Sequence, residues 1–87
     1  MRFIEIKIFN YTDEAISFKN ANENINIPYD LMKICYATIN FDKIIGFFPD
    51  WENPNVTILD VEATEHQYLL PMTYDKFKEF FKNKMLD

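Results

Sequence analysis

The chain is short of the residues from which most catalytic and ligand-cradling sites are made. Its 87 residues include one glycine (Gly46), one cysteine (Cys35), one histidine (His66) and one tryptophan (Trp51). With a single glycine there is no Gly-rich loop to wrap backbone N–H groups around a phosphate, and motifs of that kind are excluded. A lone cysteine excludes an intrachain disulfide and fits a reducing compartment. Cys35 lies in the apolar run Ile34-Cys35-Tyr36-Ala37, so it reads as an inert, buried thiol. His66 belongs to a polar turn separated from Cys35 by whole strands, and no base–nucleophile pair is expected. No apolar run approaches the ~18 residues that span a bilayer. The opening Met1-Arg2-Phe3-Ile4-Glu5 is charged too early for a secretory leader. A basic excess is also missing. Nine Lys and Arg against fourteen Asp and Glu give a net charge of −5, the wrong sign for neutralising nucleic-acid phosphates. The expectation is a cytoplasmic chain with no cofactor, no membrane span and no direct nucleic-acid contact.

What is present is a rich core. Hydrophobic residues make up 48% of the chain and aromatic residues 17%, with nine Phe and five Tyr. Each buried Phe or Ile contributes about 1.5–3 kcal/mol, which offsets the small fraction of surface that so short a chain can bury. One domain over 1–87 is expected. The acidity is uneven: residues 1–72 carry eleven acids and five bases, whereas 73–87 carry four Lys and three acids. It belongs to the sheet and its loops, where it serves solubility or meets a basic partner.

The pattern along the chain defines an α+β domain, in which a small, mostly antiparallel sheet of four to five strands carries a C-terminal amphipathic helix on one face. Ile4, Ile6 and Ile8 alternate with Phe3, Glu5, Lys7 and Phe9, the period of a half-buried strand. Residues 10–28 read as irregular and loop-rich, with Ala15–Phe18 and Ile25–Pro28 as candidate short strands and several Asn between them. A single helical turn is expected within 29–34. Tyr36–Asn40 and Ile44–Phe48 read as strands around a corner at Phe41-Asp42-Lys43, and Gly46 marks a bulge or a close packing point beneath an aromatic ring. Pro49–Asn55 is a hairpin loop of two prolines, two acids and turn-forming Asn. Val56–Val61 is a strand with Thr57, Leu59 and Val61 on one face. Gln67–Met72 is another, ending near Pro71. Thr73 is the expected N-cap of the closing helix. Tyr74, Phe77, Phe80, Phe81 and Met85 form its apolar stripe, which must be covered by the sheet.

The segments Ile39-Asn40-Phe41-Asp42-Lys43-Ile44-Ile45-Gly46-Phe47 and Asn55-Val56-Thr57-Ile58-Leu59-Asp60-Val61, followed by a polar turn, a strand and a closing helix, resemble the small flagellar and swarming-motility protein family. Similar short proteins of unknown role occur in phages and other mobile elements. The resemblance covers roughly residues 36–81. It implies a fold and a motility-type role, and brings no catalytic residue with it. The chain departs from the family at Glu62-Ala63-Thr64-Glu65, where an Asp-Gly pair is usual, and at Met72-Thr73, where Glu-Ser is usual.

Three functional readings follow. The first is a non-enzymatic interaction module that docks a larger protein or self-associates. Its binding residues are Trp51, between Asp50 and Glu52 in the hairpin loop, where an exposed indole is a typical interface anchor; the alternative is that Trp51 folds back over the sheet edge. The second is an inhibitor of phage or mobile-element type, which turns an acidic face (Asp60, Glu62, Glu65) toward a nucleic-acid-binding groove in its target. The third is a small-ligand or metal binder, for which Asp60, Glu62 and His66, with Glu65, are the candidate ligands, Asp60 and Glu62 projecting from one face of a strand. Base stacking on Tyr11, Phe18, Tyr29, Tyr36 and Tyr68 needs a positive groove that the composition does not supply, so these rings are assigned to core packing.

Overall fold

The computed structural model describes residues 2–64 and 67–86. In chain order the elements are strand β1 (Phe3–Asn10), helix α1 (Asp13–Ala21), a 3₁₀ turn (Tyr29–Leu31), β2 (Lys33–Asn40), a second 3₁₀ turn (Phe41–Lys43), β3 (Ile44–Pro49), β4 (Thr57–Val61), β5 (Tyr68–Leu70) and helix α2 (Tyr74–Met85). The α+β class is as expected, but the single sheet is not. The strands form two antiparallel sheets, β1–β2 and β3–β4–β5. The 3₁₀ corner at Phe41–Lys43 turns the chain out of the first sheet into the second. β1 then lies alongside β5 without joining its ladder.

β1 and β2 pair in register from Phe3 opposite Asn40 to Asn10 opposite Lys33. Alternation puts Ile4, Ile6 and Ile8 on the inner face, with Ile39, Ala37 and Cys35 across from them. Cys35 is only half-buried, at the end of that row away from the closely packed centre. On β4, Thr57, Leu59 and Val61 are all buried, as the period requires. The β3–β4 register slips between Ile44 and Gly46, so the bulge is present. A Cβ at Gly46 would meet nothing within 4 Å, so no ring packs against it.

Helix α2 closes the core. The Thr73 side chain accepts from the Lys76 N–H at 3.3 Å, the N-cap bond that its type and position dictate. Phe77 is 0% exposed and meets Phe47 of β3 edge-on at 4.8 Å. Phe81 lies 5.0 Å from Phe47 and 4.9 Å from Phe41. Ile4, Ile6 and Ile39 of the first sheet and Leu59, Val61 and Leu70 of the second converge on the same cluster. One core therefore serves both sheets. Met85 departs from the expected stripe: it is 61% exposed, because it sits in the last helical turn, beyond the sheet's reach.

Residues 10–28 are not irregular throughout. Asp13–Ala21 is helical, and neither Ala15–Phe18 nor Ile25–Pro28 forms a strand. The cause is local. Thr12 accepts from the Ala15 N–H at 3.1 Å, Asp13 and Glu14 occupy the positive first turn, and Lys19 the negative last turn. Only Ala15 of α1 is buried, so the helix carries no apolar stripe. The core-packing assignment of the tyrosines also fails in part, since Tyr11 and Tyr36 are both more than half exposed.

Arg2 staples three elements. Its Nε and Nη2 donate to Asp42 Oδ1 at 3.1 and 2.9 Å, its backbone N–H to Asp42 Oδ2 at 2.9 Å, and its Nη1 to the Lys84 carbonyl at 2.7 Å. The guanidinium also sits 4.6 Å above the Phe41 ring. The cation thus meets the negative end of α2 while fixing the corner between the sheets.

Candidate functional site

The β3–β4 loop is built by its own short-range bonds. The Asp50 N–H donates to the Val56 carbonyl at 3.1 Å, the Val56 N–H to the Asn53 carbonyl at 3.1 Å, and the Asn53 N–H to the Asp50 carbonyl at 3.3 Å. Two Asx-type bonds reinforce them: Asp50 Oδ1 accepts from the Glu52 N–H at 3.0 Å, and Asn53 Oδ1 from the Asn55 N–H at 3.0 Å. These are the bonds for which Asp and Asn favour turns. They fold residues 50–56 on themselves and leave Trp51 at the tip, 93% exposed. At that exposure the indole does not fold back over the sheet edge, and that alternative is overturned.

Two longer bonds tie this loop to the segment after α1. The Tyr29 hydroxyl donates to Asp50 Oδ2 at 2.5 Å, and Asn26 Nδ2 donates to Glu52 Oε2 at 2.9 Å. Tyr29 is itself held by a ring contact with Phe9 of β1, at 4.8 Å between centroids. Farther back, the Thr12 hydroxyl donates to the Leu31 carbonyl, fastening the start of α1 to the 3₁₀ turn. Partial burial, then the Asp50 hydrogen bond and the negative charges of Asp50 and Glu52, raise the Tyr29 phenol well above its ordinary range. It therefore stays a hydrogen-bond donor at every physiological pH.

Between the Trp51 loop and residues 23–29 lies an open cleft of about 670 Å³, within the size range of small-ligand and side-chain sites. Its floor is Ile58 of β4 and Leu69 of β5, cross-strand partners on the outer face of the second sheet. Ile25, 58% exposed, Ile27 and Trp51 add apolar surface to its lining. Glu23, Asp50 and Glu52 bring three negative charges to the lining, against one positive charge from Lys19.

The other expected residues do not gather here. Asp60 is half-buried on β4 and pairs across from Gly46. β4 ends at Val61, so Glu62 does not share a strand face with Asp60. It is exposed in the following turn, with its N–H bonded to the Lys43 carbonyl at 2.8 Å. Glu65 and His66 lie outside the described residues. Among the described residues no group of three or more His, Cys, Asp and Glu stands close enough to hold a metal. No described helix is long and apolar enough to cross a membrane. Comparison with protein-family models, curated proteins and solved structures finds no match, so the resemblance to the flagellar and swarming-motility family rests on the chain's own motifs.

Proposed function

We propose that the chain is a non-enzymatic interaction module that docks a protein partner through the Trp51 loop, with Asp50 and Glu52 beside the indole. The observation that carries this reading is the contrast within the loop: a backbone stitched by five short-range hydrogen bonds bears an indole that touches almost nothing. Exposing an indole to water forgoes the burial that stabilises a small domain, and a preorganised aromatic anchor lowers the entropy cost of association. The chemistry of the loop agrees. The Asp50 carboxylate is engaged by the Tyr29 hydroxyl and the Glu52 N–H, so it serves as a structural acceptor, not a reactive base.

Tagged full-length chain, wild type and Trp51→Ala, is used for capture from the native host. A partner held by the wild type and lost with the variant, at equal melting temperature, is the expected result. Equal capture by both, or turnover of a substrate that is abolished by changing Asp60, Glu62 or His66, would refute the reading.

A further inference from the structure

We infer that the cleft between the Trp51 loop and residues 23–29 receives a partner segment carrying an apolar side chain flanked by Lys or Arg. The inference rests on the docking reading above and adds the chemistry of what docks. The floor is apolar: Ile58 and Leu69 come from the face of the β3–β4–β5 sheet opposite the core, where water would otherwise meet them. Ile25 and Trp51, both largely exposed, add to that apolar surface. An aliphatic side chain laid on this floor, with the indole closing over it, buries surface on both partners.

The rim selects the flanks. Three carboxylates and one ammonium give the cleft a net negative lining, on a part of the chain that is itself acidic. Glu52 already accepts from Asn26 and Asp50 from Tyr29; these neutral donors leave the negative charges in place for a cation. A Lys or Arg beside the apolar residue meets these charges and the face of the indole, a favourable site for a cation. An acidic flank is repelled at the same points. An anionic lipid surface or a nucleic acid is disfavoured for the same reason.

The test uses the full chain and a phage-displayed library of random twelve-residue peptides, selected on the wild type and, in parallel, on Trp51→Ala. The expected outcome is a set enriched only by the wild type, in which an apolar residue lies within two positions of Lys or Arg. Synthetic copies of those peptides should blue-shift the emission of the single tryptophan. The paired change Glu23→Gln and Glu52→Gln, which keeps an acceptor for Asn26, should weaken them roughly three- to tenfold, and more at low salt. Trp51-dependent enrichment of uncharged or acidic peptides overturns the cationic flank and leaves the docking reading intact. Absence of any Trp51-dependent enrichment overturns both. Trp51-dependent self-association of the chain alone, read by sedimentation, would assign the cleft to a second copy and overturn the inference.

Discussion

The bond from Tyr29 to Asp50 is the connection on which the shape of the site depends most, and Tyr29→Phe isolates it. The change removes one hydroxyl and keeps the ring on Phe9. A hydrogen bond to a carboxylate contributes about 1.5–3 kcal/mol when well shielded. Tyr29 is only half-buried, so solvent screening brings the expected loss down to about 1 kcal/mol. That corresponds to a melting temperature lower by about 4–8 °C in a domain of this size. A double-mutant cycle with Asp50→Ala, which removes the acceptor, should return most of that loss as coupling by urea unfolding. The pH dependence gives an independent check. The folded-state phenol titrates above its unfolded value of about 10, so the contribution is complete below pH 10. It is lost as pH rises beyond that, where the unfolded chain gives up the proton first. The stability difference between wild type and Tyr29→Phe should therefore be flat from pH 6 to 9 and shrink above 10. Zero coupling in the cycle, or a difference that persists undiminished at high pH, would refute the assigned role.

Other perturbations test the frame around the site. Phe77→Ala removes the most enclosed ring of the core and should cost about 3–5 kcal/mol, a large part of the ~4–13 kcal/mol available to a chain of this length; calorimetry should show a melting temperature lower by at least about 12 °C or no cooperative transition. Asp42 is held below its ordinary carboxylate range by the Arg2 N–H and then by the guanidinium, so its contribution is complete at neutral pH and lost on acidification below about pH 4. Asp42→Asn should flatten that part of the acid unfolding curve. Ala63 has φ 69°, a left-handed conformation that costs a non-glycine residue about 1–2 kcal/mol. Ala63→Gly should stabilise by roughly 0.5–1 kcal/mol once glycine's greater unfolded-state freedom is discounted, measured by urea unfolding.

Much of the frame is legible in local periodicity. The isoleucines of β1, the buried row of β4 and the phenylalanines of α2 each report one face of one element, and burial enforces that face. Strand pairing is not a local property. Nothing in the run from Tyr36 to Phe48 states that the corner at Phe41–Lys43 divides the strands between two sheets. Helix α1 escapes a periodicity search because a helix that buries only Ala15 needs no stripe, and its evidence is electrostatic: a Thr12 cap followed by Asp13 and Glu14. The exposed tryptophan can be read from its loop. The cleft beside it cannot, since Ile58 and Leu69 alternate onto the face opposite the core and the loop containing Ile25 and Asn26 reaches them only through the tertiary fold.

Docking through Trp51 requires an indole held in water by a loop that its own hydrogen bonds keep in one shape. Amide ¹⁵N relaxation across Asp50, Trp51, Glu52 and Asn53 measures this directly. Order parameters of about 0.85, matching the flanking strands, are predicted for all four backbones. Values below about 0.6 would mean that the loop samples many shapes, and the preorganised anchor would be contradicted.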